Sequence, residues 1–312
     1  MRFLITGVAG FLGTPLANRL AAEGQAVYGL DDLSAGDPAG LDERVAFTRG
    51  DVRDVPRLWS LLADVDVVYH LAARVSVQES ILYPVEYNAV NTGGTVALLA
   101  AARDAGVRRV VLASSGTVYG DQSRQPIPER AEAVPANPYA VSKLAAEHYV
   151  RAIGDLYRIE AVVLRIFNAY GPGQRVPPSH PPVAAHFARQ ILSGASIVTH
   201  GAPPGRQTRD FVYVDDVVDA LVRAGAVGGI AGRTLNIGSG IETTVRELIK
   251  ELERATGRSA RVLESPEQSG GVARMCADIA AARESLGWSP KVLLRDGLLN
   301  LATDLRRSRS RP

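Results

Sequence analysis

Along the first half of the chain, short apolar runs alternate with longer stretches whose apolar positions recur every three or four residues. The runs are "RFLITG" (2–7), "AVYGLDD" (26–32), "VAFTRGDV" (45–52), "DVVYHLAA" (66–73), "RRVVLASS" (108–115) and "EAVVLRIFN" (160–168). They are rich in β-branched residues and almost continuously apolar, which predicts strands buried on both faces, as in a parallel sheet. Between them, "NTGGTVALLAAARDAG" (91–106) and "YAVSKLAAEHYVRAIGDL" (139–156) read as amphipathic helices. Strand–helix alternation with right-handed crossovers predicts an α/β fold built on a doubly wound parallel sheet of Rossmann type.

After about residue 170 the pattern changes. "YGPGQRVPPSHPPV" (170–183) is too proline-rich for a long regular element. Beyond it, "TLNIGSG" (234–240) precedes a helix over 243–257, a strand and loop over 261–275, and a helix over 278–288. The expected organisation is a Rossmann domain over 1–170 and a smaller C-terminal α/β lobe over 171–312. The lobe is expected to interleave with the end of the sheet at about 210–240.

Composition changes this picture little. The 312 residues suffice for a large core. With 46% hydrophobic and 22% charged residues the chain reads as soluble and globular. A formal net charge of +2 gives no global attraction to nucleic acid or an anionic membrane, so neither partner is expected. A lone cysteine, Cys276, points to a reducing compartment, hence the cytoplasm. The glycine-broken start "MRFLITGVAGFLG" reads as a strand and turn rather than a leader. The arginines between Arg306 and Arg311 read as a solvated terminus. The histidines, at 70, 148, 180, 186 and 200, lack ligand spacing, so no metal is expected.

Candidate chemistry begins at "TGVAGFLG" (6–13). Gly7, Gly10 and Gly13, with Phe11 and Leu12 between them, join the first strand to the first helix. Such a turn lets a backbone approach a pyrophosphate, which then meets free N–H groups at the helix start. Asp31 and Asp32 end the second strand, 18 residues after Gly13 in the case of Asp31, with Ser34 and Gly36 in the loop behind. A carboxylate there accepts hydrogen bonds from two ribose hydroxyls and repels a 2′-phosphate, so NAD is expected over NADP. Asp51 and Val52 close the third strand, where Asp51 can meet the adenine amino group. Leu71, Ala72 and Ala73 close the fourth, small enough for the cofactor to lie on them. His70 reads as a packed core histidine.

Tyr139 and Lys143 stand four residues apart on one predicted helix and so share a face. A lysine ammonium and a cationic nicotinamide would lower the phenol from its ordinary value near 10, allowing it to take a proton from a sugar hydroxyl. Ser115 ends the fifth strand at the edge where ligands bind in such sheets, and can complete a Ser–Tyr–Lys triad.

These residues resemble the extended short-chain dehydrogenase/reductase superfamily, in its nucleotide-sugar epimerase/dehydratase branch. The resemblance rests on "TGVAGFLG", "HLAA", "NTGGT", "SSGTVYG", "NPYAVSK", "RIFNAYGPGQ", "QTRDFVYVDDVV" and "LNIGSG", in that order. It implies tightly bound NAD, with Asn91 added to its contacts, and a C-terminal lobe that holds a nucleoside diphosphate sugar. It implies Ser115, Tyr139 and Lys143 as the catalytic triad, Asn168 and Arg209 on the diphosphate, and His200 stacked on uracil. Ser76, Ser114, Gly116, Thr117, Arg175, Val183 and Met275 complete the implied substrate contacts. Homodimers through the 91–106 and 139–156 helices are usual in such enzymes.

Within that branch, dehydratases resemble "TDEVYG" and use the acids to remove water. Gly116 and Thr117 occupy those positions here and cannot do so. Decarboxylases keep a glutamate at the Thr117 position, and Cys276 lies outside the Cys–His motif of 3,5-epimerases. C4 epimerisation of a UDP-sugar remains. Arg175, with Ser114, Ser115 and Thr117, suggests UDP-glucuronate; pairing of Arg175 with a loop acid is the even alternative. UDP-glucose and UDP-N-acetylglucosamine are the alternative substrates. A net NAD-dependent oxidoreductase is the alternative of another class, and a non-catalytic NAD-binding protein a third reading. One departure stands out: Gln268 takes the place of a diphosphate-clamping arginine, which leaves Arg209 or Arg274 to carry that load.

Overall fold

The computed structural model describes residues 1–177, 181–200, 205–265 and 272–309. Its strands are β1 (Arg2–Thr6), β2 (Ala26–Asp31), β3 (Ala46–Arg49), β4 (Val67–His70), β5 (Arg109–Ser115), β6 (Glu160–Ile166), β7 (Asn168–Tyr170), β8 (Ser196–His200), β9 (Thr208–Arg209), β10 (Phe211–Tyr213), β11 (Thr234–Ile237), β12 (Thr243–Thr244) and β13 (Arg261–Ser265). The helices are α1 (Gly13–Ala22), α2 (Val55–Leu62), α3 (Val77–Leu82), α4 (Pro84–Asn88), α5 (Gly94–Asp104), α6 (Pro138–Tyr157), α7 (Val183–Ser193), α8 (Val214–Ala226), α9 (Val245–Thr256), α10 (Ala280–Leu286) and α11 (Leu294–Arg309).

Seven strands form one parallel sheet in the order β11-β6-β5-β4-β1-β2-β3. Every residue of β4 is buried, and so are the first six of β5, as continuous apolar strands require. Strand order reverses between β1 and β4. Ligands of such sheets bind at this switch, outside the carboxyl ends of the strands. Thr6 and His70 are in register there. Apolar clusters line the sheet on both faces, one including Leu16, Val111, Leu221 and Trp288, the other Leu58, Leu98, Leu112 and Val150. A third cluster, with Phe187, Phe211, Leu248 and Leu301, lies among α7, α9 and α11. No described helix is long and apolar enough to cross a membrane.

Several elements end elsewhere than the pattern predicts. β3 and β4 stop at Arg49 and His70, so Asp51 and Leu71–Ala73 lie in the loops just beyond. The expected 91–106 helix opens with a π-turn over Ala89–Gly93 before α5 begins. Side-chain bonds explain this extra residue: Asn91 is tied to Arg74 and Ser142, and Thr95 donates to the Asn91 carbonyl. α6 begins one residue early because Asn137 caps it, accepting from the Ala140 amide at 2.9 Å, with Pro138 at its first position. Asp278 lies outside α10 and accepts from the Ala280 amide at 3.0 Å.

Behind β5 lies a buried ion pair. Arg165 donates to both oxygens of Glu147 at 3.0 and 2.7 Å, and Ser114 and Arg151 donate to the same carboxylate. Arg165 also stacks over the Tyr119 ring, 4.6 Å from its centroid. Removing one partner strands the other charge. Arg165→Met is therefore expected to cost about 3–5 kcal/mol in urea unfolding, and Glu147→Leu in the same chain to recover much of it.

Candidate active site

The first turn leaves a gap for a phosphate. Gly7 sits at φ +73°, and a Cβ there would lie 2.7 Å from the Ala72 amide, so only glycine lets β1 turn this close to β4. At Gly10 a Cβ would meet only the Gly7 carbonyl, at 3.2 Å. No side chain caps α1 and no acid stands in its first turn. Among the described residues the amides of Phe11 and Leu12 have no partner. An open helix start of this kind fits a pyrophosphate.

The acids behind the turn divide their work. Asp31 is buried and accepts from the Ala9 and Leu33 amides at 3.0 and 2.8 Å; burial pushes its carboxyl up. Asp32 is exposed and takes the Ser34 amide and hydroxyl on one oxygen, leaving the other without a hydrogen-bond partner among the described residues. The loop carrying Gly36 lies against the glycine turn, where a Cβ would sit 2.8 Å from Ala9. Arg53 forks Asp51 and holds its carboxyl below the usual range. Val52 is buried, and Leu71, Ala72 and Ala73 are half-buried at the crevice. Asn91 departs from expectation. Its two N–H groups go to the Arg74 carbonyl and the Ser142 hydroxyl, and its oxygen accepts from the Arg74 amide, so it props the wall of the crevice.

The triad residues come together. Tyr139, in the first turn of α6, comes beside Ser115 at the end of β5, whose hydroxyl favours the phenolate. The Ser115 hydroxyl also accepts from the Thr117 amide and hydroxyl at 3.2 and 2.9 Å, which fixes its orientation. Tyr139 and Lys143 are both buried. The protein's own groups do not lower the phenol as the sequence suggests. Burial pushes it up to about 12, against the lowering effect of the nearby Ser115 hydroxyl. Burial pushes the Lys143 ammonium down to about 8, against Glu147 one turn further on. His70 is a neutral core residue between Thr6 and Thr95, at 2.7 and 2.9 Å, pushed down to about 3 by burial.

Of the expected substrate contacts, Ser114 is turned away. Side chains alternate along a strand, so its neighbour Ser115 faces the crevice while Ser114 donates to Glu147 behind β5. Arg175 pairs with Asp37 at 3.2 Å, both more than half exposed. Arg209 is different. Its guanidinium donates to the Thr208 and Val272 carbonyls at 2.7 and 2.9 Å, pairs with no carboxylate among the described residues, and is pushed down by burial. Arg274, by contrast, is forked onto Glu242 at 2.7 and 2.6 Å. Gln268 lies outside the described residues.

Val183 and His200 line one cleft of about 430 Å³ with His186, Phe187, Gln207 and Val245. Asn168 is half-buried in β7. Met275 is buried in the main core. At Gly116 a Cβ would come 3.1 Å from the Phe167 ring, so the position is closed to side chains unless that ring gives way. The Ser76 hydroxyl caps α3 through the Glu79 amide.

Two residues escaped the sequence reading. Asp210 accepts from the Ser239 amide and hydroxyl and from the Gly240 and Ala277 amides, tying three distant segments beside Arg209. Tyr87 packs edge-to-face on Tyr139. Tyr87 lies outside every quoted motif, and Asp210, though inside "QTRDFVYVDDVV", has partners far away in sequence that the motif does not show.

The NAD dependent epimerase/dehydratase family profile matches residues 3–238. The UDP-glucose 4-epimerase of Mycolicibacterium smegmatis is 42% identical over 306 residues, covering 96% of each chain. The crystal structure of the Thermotoga maritima UDP-glucose 4-epimerase with UDP-glucose superposes with a TM-score of 0.94 at 33% identity, covering 99% of this chain and all of the other. The Bacillus cereus UDP-glucuronic acid 4-epimerase, in complex with UDP-glucuronic acid and NAD, gives 0.90 at 32% identity, covering 99% and 100%. The open turn, the acids behind it and the Ser–Tyr–Lys cluster thus lie on a fold shared along its whole length, and the chain belongs to the NAD-dependent epimerase/dehydratase family.

Proposed function

We propose that the protein is a UDP-hexose 4-epimerase acting on a neutral hexose, UDP-glucose and its C4 epimer. The carrying observation is that Tyr139 and Ser115 meet at the strand end, with Gly116 and Thr117 beside them instead of carboxylic acids. Such a site moves one proton at one hydroxyl and has no acid for eliminating water. The named relatives support 4-epimerisation.

Two observations favour the neutral sugar over UDP-glucuronate. Arg175 is engaged by Asp37, and Ser114 by Glu147. Both had been expected to meet a C6 carboxylate, and a buried carboxylate without a cation is costly. The relatives include enzymes of both sugars, with TM-scores of 0.94 for the UDP-glucose enzyme and 0.90 for the UDP-glucuronic acid enzyme.

In this reading Ser115 hydrogen-bonds O4 of the hexose and Tyr139 takes its proton. NAD, when bound, supplies the hydride acceptor and donor for C4 and a positive ring beside the phenol. The 4-keto sugar turns, and Tyr139 returns the proton on the other face. Lys143 stabilises the phenolate and can hold a ribose hydroxyl. Arg209, a cation that pairs with no carboxylate among the described residues, holds the diphosphate while the hexose pivots. The cleft of Val183 and His200 takes the uracil. A homodimer is supported by the apolar stripe that α6 leaves exposed, with Val141, Tyr149 and Leu156 on it.

Purified protein given UDP-glucose without added NAD is expected to yield the 4-epimer by proton NMR, with UDP-glucuronate turned over poorly. Tyr139→Phe should keep its NAD and lose roughly 10²–10⁴ in rate. Turnover of UDP-glucuronate alone would sink the neutral-sugar reading. Light scattering is expected to give twice the chain mass, and Tyr149→Asp to reduce it to one.

Lys143 also sets a pH dependence. Its folded value, about 8, lies below its ordinary 10.5, so the unfolded chain binds more protons between these values. Stability of the cofactor-free protein should rise with pH across that window. Lys143→Met is expected to stabilise it by up to about 3 kcal/mol at pH 7, a gain that vanishes above about pH 10.5, while abolishing epimerisation.

A further inference from the structure

Tyr87 is the one buried side chain of α4, whose other residues are exposed. Its ring meets that of Tyr139 at 90°, with centroids 6.5 Å apart. Its hydroxyl accepts from the Ser76 amide at 3.0 Å and donates to Glu79 at 3.4 Å. Ser76 in turn caps α3. The Tyr87 ring is thus pinned at its hydroxyl end by the first turn of α3 and lies against the catalytic ring. Around it, Ile81, Leu82, Tyr83 and Val85 are all exposed, so this segment has few other anchors.

We propose that Tyr87 is a positioning residue that fixes the plane of the Tyr139 ring. The inference rests on the epimerase reading. In that reaction one phenol oxygen serves both faces of C4, so it must stay in place while the sugar turns. The Ser115 hydroxyl acts at the oxygen end of Tyr139 and does not restrain the ring behind it. An edge-to-face contact restrains the ring itself. Errors of about 1 Å in such placement can cost about 10² in rate.

The test compares Tyr87→Leu and Tyr87→Phe in the NAD-loaded enzyme by steady-state kinetics, retained NAD and melting temperature. Leu is expected to lower kcat about 30–100-fold, with KM and NAD content close to the parent, and Phe to restore kcat to within about threefold. A Leu variant with parental kcat overturns the proposal. So does a Leu variant that loses kcat, NAD and thermal stability together, or a Phe variant as slow as Leu. If Leu does not fold, Tyr87→Met carries the test, and failure of both to fold assigns the ring to the fold and overturns the positioning role. The parent enzyme is the control for the reading beneath: if it epimerises no UDP-sugar, that reading fails first and the proposal with it.

Discussion

Burial of Tyr139 and Lys143 on one face of α6 is the constraint around which the rest is arranged. A phenol and an ammonium held out of water each resist their charged form. The helix answers with regular spacing: a phenol, an ammonium one turn on, and the Glu147 carboxylate after that. Glu147 in turn needs Arg165 and Arg151, and Arg165 needs the Tyr119 face. The chemistry at the crevice is thus backed by a charge cluster on the far side of β5. The protein alone leaves the phenol protonated at neutral pH, so the base forms only where further positive charge is brought in.

Much of this was legible in the sequence, for a physical reason. Parallel strands buried on both faces must be continuously apolar, and a phosphate turn must have glycine. Tyr139 and Lys143 are four residues apart on a helix, and local spacing alone puts them together. The same holds for Asn137 and Pro138, which start that helix. What failed were assignments that depend on facing or on distant partners. Ser114 and Ser115 look alike in sequence, and only the strand's orientation separates them. Asn91 is spent on Arg74 and Ser142. Arg175 finds Asp37 across 138 positions of chain, an even alternative that spacing could not decide. Tyr87 carries no motif, and the motif around Asp210 does not show which distant groups it binds.

The substrate lobe shows how one cation can be singled out. Arg274 and Arg209 lie close in their roles on paper. Glu242 takes Arg274, and Asp210 gives its four bonds to backbone and serine instead of to Arg209. Arg209 is left with two backbone carbonyls and no carboxylate among the described residues.

The alternation of β5 also separates two kinds of inherited damage. A lesion at Ser114 disturbs the Glu147 cluster and is felt in how much folded protein a cell keeps. In the epimerase reading, a lesion at Ser115, one peptide bond away, loosens only the local Thr117 turn and is felt chiefly in what each molecule can do. Adjacent codons therefore answer to different selection, one through abundance and the other through turnover.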